Sequence, residues 1–257
     1  MNISVAHFSR PALASSCAAL LATLAACGGG GSNASIGVGS SAGSAATPTS
    51  MTVSGTAASG KPLATAMVSL ACVQGAASAN ADANGQFSVT LNAVPPCLIT
   101  ATASNHTFHS VAFAGGTFNV TPETDLLLGY LSGQLGTNET GLLAGFALNA
   151  RFQQVLGNPT DVLNAQTAVV SSLQQRFALT LSVPNFLTTP FVPDNEGLDH
   201  DLDALQAAGA IDDNGPLSGT LSFVTAAGAT QPLPATPPSA MGGGTGNTGS
   251  SNAGGMM

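Results

Sequence analysis

Between Val68 and Ala101 three short runs place apolar side chains at every second position: Val68, Leu70 and Cys72, then Phe87, Val89 and Leu91, then Cys97, Ile99 and Ala101. An extended strand with one buried face needs this period of two, whereas a helix would scatter the same residues around its circumference. The stretch therefore reads as strands. Between the first two runs, Asp82-Ala83-Asn84-Gly85 supplies an Asn-Gly pair suited to the positive φ angles of a tight turn. Val53, then Val111 with Phe113, then Phe118 with Val120 continue the rhythm. Residues 51–120 are expected to form a small antiparallel β-sandwich of about seven strands.

Neither flank shows such a pattern. Residues 27–50 are almost wholly Gly, Ser, Ala and Thr, and residues 235–257 are rich in Pro, Gly, Ser and Asn. The first is expected to be a flexible tether reaching roughly 25 to 30 Å, and the second a disordered tail. Both contain chance motifs. Gly39-Ser40-Ser41-Ala42-Gly43 spells a nucleophile elbow without its strand and helix, and Gly244 to Gly249 spells a dinucleotide fingerprint without a βαβ unit. Lys plus Arg number 4 against 12 Asp plus Glu, a formal net charge of −8 that repels phosphate backbones and excludes nucleic acid as a partner. With 44% of residues hydrophobic, the remaining chain has enough apolar surface to fold.

Residues 1–26 carry one basic residue, Arg10, ahead of an apolar run from Pro11 to Ala26. That run falls short of the roughly 20 residues that span a bilayer and suits an export signal instead. Leu24-Ala25-Ala26-Cys27 closely resembles the lipobox of bacterial lipoproteins, which implies cleavage before Cys27 and acylation of its thiol and freed amine. Two or more chains anchor a protein stably where one does not. Gly28 after that cysteine resembles the pattern of lipoproteins sent to the outer membrane. Export also places Cys72 and Cys97, in phase on adjacent expected strands, in an oxidising compartment, and a disulfide between them is predicted.

Val53-Ser54-Gly55-Thr56, then Gly60-Lys61-Pro62-Leu63 leading into Ala66 to Leu70, then Asp82 to Phe87, follow one another in an order that resembles the carboxypeptidase regulatory-like domain family. The resemblance covers about 70 residues. It implies a transthyretin-like sandwich with a supporting or binding role, and it brings no catalytic residues.

Residues 121–234 read as mostly helical. Thr121-Pro122-Glu123 looks like a helix start, with an N-cap, Pro at the first position and an acid at the positive dipole end. A second helix is expected over Glu139 to Leu156 and a third from Asn158-Pro159 toward Phe177. Asp212-Asp213-Asn214-Gly215 reads as a turn joining a short strand near Ala210 to one at Leu217 to Val224. The fold class is thus α+β, a sandwich followed by a helical subdomain with a short hairpin.

Possible sites are few. Asn80, Asp82, Asn84 and Gly85 begin a calcium loop, but Leu91 stands where its closing Glu belongs. His106 and His109 would point to opposite faces of a strand. Asp194, Glu196, Asp199, Asp201 and Asp203 supply enough oxygens for a cation without a fixed loop pattern, and equally suit a helix start. No catalytic residue, metal ligand or cofactor is assigned. The expected function is a lipid-anchored, non-catalytic envelope module that meets the membrane through Cys27 and binds other envelope proteins. One alternative is a hydrolase using His200 with Asp199 or Asp201. Another is a glycan-binding module, for which zero Trp and one Tyr, Tyr130, offer few stacking platforms.

Overall fold

The computed structural model describes residues 46–104 and 106–234. Cys27, the apolar run before it, both glycine motifs, the tail and the tether up to residue 45 lie outside the described residues.

The described residues are α+β, with a mostly antiparallel six-stranded sheet and six helices. Its strands are β1 (Thr49–Thr56), β2 (Met67–Gln74), β3 (Ala76–Asn80), β4 (Gln86–Ala103), β5 (His106–Ala112) and β6 (Gly116–Thr117). They run in the order β3-β2-β4-β1-β6, with β5 also on β4. The first half of β4 pairs with β1, from Thr56 opposite Gln86 to Thr49 opposite Ala93. Its second half pairs with β2 and with β5. Burial alternates strictly from Gln86 to Ala93, as the period of two requires, and then becomes continuous from Pro96 to Ile99. Cys72 lies directly opposite Cys97 on the paired strands, and the two form the predicted disulfide.

The turn before β4 is built by Asp82, whose Oδ1 accepts the Asn84 and Gln86 N–H groups at 2.8 and 2.9 Å. Gly85 adopts φ +75°, and a side chain there would meet the Ala57 carbonyl. The calcium-like spacing thus serves turn geometry.

Six helices follow: α1 (Pro122–Gln134), α2 (Glu139–Gly145), α3 (Ala150–Leu156), α4 (Pro159–Phe177), α5 (Gly197–Ala207) and α6 (Ser218–Ala229). Between the last two lies a hairpin of β7 (Ile211–Asp212) and β8 (Gly215–Pro216). Every residue of α1 is buried. Helix α4 shows the expected one-sided stripe of Val162, Ala165, Gln166, Val169, Val170 and Leu173, behind an Asn158 N-cap that accepts the Thr160 N–H. The core is continuous across residue 120, joining Val53 and Phe108 of the sheet to Leu126, Leu173 and Leu202 of the helices. Among the described residues no helix is long and apolar enough to cross a membrane.

Two expectations are corrected. The helix expected over Glu139 to Leu156 is two helices, because Asn149 accepts the Arg151 and Phe152 N–H groups and starts α3 afresh. The strand expected at Leu217 to Val224 is the first part of α6. Its buried residues are Thr220, Val224 and Gly228, a spacing of four that belongs to one helix face.

Helices α1 and α6 meet through glycine. A Cβ on Gly133 would strike the Thr225 carbonyl, and one on Gly228 would strike the Tyr130 carbonyl. An alanine in a helix gains about 0.8–1.0 kcal/mol over glycine, but forcing extra volume into a packed contact costs about 1–3 kcal/mol. Gly133→Ala and Gly228→Ala are expected to lower the Tm. Gly219→Ala, where nothing lies within 4 Å, should leave it unchanged or raise it. Reducing the 25-residue disulfide loop should cost roughly 3 to 4 kcal/mol in urea unfolding.

Candidate functional site

Among the described residues strand β5 pairs with one strand, β4, and helix α1 packs against it. The side chains of the first turn of α1 satisfy the backbone of this edge strand. Asp125 Oδ1 accepts the His109 N–H at 2.7 Å, and the Thr124 hydroxyl donates to the His109 carbonyl at 2.6 Å. Thr124 Oγ1 also accepts the Thr121 N–H at 2.9 Å, which fixes the start of the helix.

These contacts bring the His109 ring against two acids. Its Nδ1 lies 3.1 Å from Asp125 Oδ1 and 3.9 Å from Glu139 Oε1. Among the described residues this is the one group of three or more His, Cys, Asp or Glu whose potential ligand atoms converge, all within 4.8 Å of one another. Three elements supply it: β5, the first turn of α1 and the first residue of α2. Asn138 caps α2 by accepting the Gly141 N–H at 2.8 Å, which fixes the helix that begins at Glu139. The side chains of His109, Asp125 and Glu139 keep 24%, 7% and 16% of their exposure, so the cluster is mostly enclosed yet opens to solvent at the imidazole and Glu139. Glu139 also lines an open groove of about 700 Å³ with Gly133, Thr137, Leu221 and Thr225.

Burial, then repulsion from Asp125, pushes the Glu139 carboxyl up to about 7. Burial also raises Asp125, against the opposing pull of His109. For His109, burial favours the neutral ring, but the hydrogen bond and charge of Asp125, with that of Glu139, outweigh it and raise its value. A second buried acid, Glu123, has no hydrogen-bond partner for either oxygen among the described residues, and burial followed by the charge of Asp201 raises it well above the ordinary range.

Of the residues singled out from the sequence, His109 belongs to this cluster and the others are placed elsewhere. His106 lines a separate depression with Lys61 and Asp213, so the two histidines of β5 diverge as their spacing requires. His200 is exposed, while its neighbours turn inward: Asp201 accepts the Ser182 and Val183 N–H groups at 2.8 and 2.7 Å, and Asp199 accepts the Asn195 N–H at 2.8 Å. The acidic stretch is the expected helix start, with these acids bonded to backbone amides. Among the described residues no hydroxyl or thiol is hydrogen-bonded to His200, so the arrangement a hydrolase would need there is not formed. Tyr130 is buried at 1% exposure and offers no platform to a sugar. Nothing local in the sequence marks Asp125, and Glu139 stands there only at an expected helix start. The usable signal was an acid inside a helix, Pro122–Gln134, with no polar face to carry it.

No family model, curated protein or solved structure matches this chain.

The upward shifts of His109, Glu123, Asp125, Glu139 and Asp199 share one sign. These groups therefore leave the folded chain holding more protons than the unfolded one, so stability is greatest at low pH and falls as pH rises and the buried acids ionise, the share of Glu139 through about 7. Thermal melts in EDTA should show a higher Tm at about pH 5 than at about pH 8, with Glu139→Gln narrowing the gap. A Tm that climbs over that interval contradicts the assignment.

Proposed function

We propose that this chain is a lipid-anchored protein of the bacterial envelope that acts as a non-catalytic binding or assembly module. The observation that carries this reading is Leu24-Ala25-Ala26-Cys27, a small-residue approach to a cysteine directly after an apolar run too short to span a bilayer. Acylation of Cys27 moors the protein, and the Gly/Ser-rich stretch after it lets the folded part range roughly 25 to 30 Å from the bilayer. Gly28 favours the outer membrane as the destination.

The disulfide between Cys72 and Cys97 supports an exported location, since such bonds persist in oxidising compartments and are rare in the cytosol. The division of β4 between β1 on one half and β2 with β5 on the other supports the finer reading of a transthyretin-like sandwich of the carboxypeptidase regulatory-like kind. In that reading the sheet and helices present a surface to other envelope proteins.

Fractionation of cells expressing wild type and Cys27→Ser tests the anchor. Wild type is expected in the membrane pellet, with a mass increased by the acyl chains. The variant is expected to accumulate as uncleaved precursor or to lose its lipid. A processed Cys27→Ser chain that pellets as strongly as wild type overturns the reading.

A further inference from the structure

We propose that His109, Asp125 and Glu139 form a binding site for a divalent transition-metal ion of the zinc type, held by His109 Nδ1 and one carboxylate oxygen from each acid. The proposal goes beyond the envelope reading and does not depend on it.

Geometry comes first. A tetrahedral ion with bonds of about 2.0–2.2 Å holds its ligand atoms roughly 3.3–3.6 Å apart. The 3.1 Å separation of Nδ1 from Asp125 Oδ1 is already close to that spacing, and the 3.9 Å separation from Glu139 Oε1 needs a contraction of about half an ångström. Glu139 has the freedom to supply it, being the first residue of its helix and partly exposed.

Charge points the same way. Among the described residues the ion pairs are Lys61 with Asp213 and the contacts of His109 itself, so no Lys or Arg balances Asp125 or Glu139. Two enclosed carboxylates facing a single imidazole make a site that is negative whenever both acids ionise, and enclosed charges are normally paired or bound to metal. A divalent cation supplies the missing charge. When the ion binds, the proton between Nδ1 and Asp125 leaves to solvent, and so does any proton carried by Glu139.

The donor set selects the ion. One imidazole with two carboxylates suits zinc and its first-row neighbours, and it lacks the thiolates that favour copper(I). Cys72 and Cys97 are committed to each other. Magnesium prefers six oxygens and retains its water, so an imidazole is a poor ligand for it. Three protein donors leave one position for water or an outside ligand, on the side where the imidazole and Glu139 reach solvent. The supporting contacts are in place: the His109 amide holds Asp125, and Thr124 holds the His109 carbonyl. Bound there, the ion ties β5, α1 and α2 together.

The test is calorimetric titration of the full chain, disulfide intact and stripped with EDTA, with zinc chloride. One ion per chain is expected, bound at micromolar affinity or tighter, with a Tm that rises as zinc is added. Glu139→Gln and His109→Gln should each weaken binding at least about tenfold, while His200→Gln should bind as wild type does. Melts in EDTA establish that each variant is folded, and Glu139→Gln, at a partly exposed position, is the variant expected to keep its fold. Saturable binding that both site variants abolish supports the proposal. Absence of saturable binding by wild type at about 100 µM zinc, equal affinity for magnesium, or unchanged zinc affinity in folded Glu139→Gln overturns it.

Discussion

Helix α1 is buried on every side, and the rest of the structure is arranged to make that tolerable. A helix in such a place normally carries only apolar residues, yet Pro122–Gln134 brings Glu123 and Asp125 inside with it. Asp125 is accommodated because it has a backbone to satisfy: it accepts the His109 amide that β5 leaves unpaired on the side away from β4. An exposed strand edge and a buried acid are each unfavourable alone, and their contact removes both problems. Among the described residues Glu123 has no such partner, and a buried polar group left unpaired costs stability. At the contact of α1 with α6, Gly133 and Gly228 let the helices approach until side chains at those positions would meet backbone carbonyls.

Local grammar made much of the fold legible. Alternation predicted the first half of β4, Asp82 to Gly85 predicted the turn before it, and Asn158-Pro159 and Thr121-Pro122 marked the starts of α4 and α1. In each case the decisive interaction lies within a few residues along the chain. The phase of Cys72 and Cys97 foretold their pairing because register carries cysteines on facing strands to the same height. Failures came where two periods overlap. Leu217, Leu221 and Phe223 mimic a strand's alternation, and only the packing of Thr220, Val224 and Gly228 reveals the helix.

The cluster around His109 was hidden for a different reason. Its members are separated by 16 and 14 residues, on a strand and two helices, and no periodicity links them. Asp125 stands in a first turn, where the helix dipole alone accounts for an acid. Asp199, His200 and Asp201 are adjacent in sequence but point in different directions. Adjacency along a helix separates side chains, while distance along the chain is no obstacle once a sheet and a helix share one face.

The length of β4 has a temporal consequence. Residue Thr49 finds its partner, Ala93, only 44 positions further along the chain. A ribosome adding about 5–20 residues each second takes roughly 2–9 s to cover that interval. Throughout it β1 is a nascent ribbon with an open edge, while β2 has only the short β3 beside it. Whatever receives the growing polypeptide must keep these segments apart from other chains until the central strand emerges.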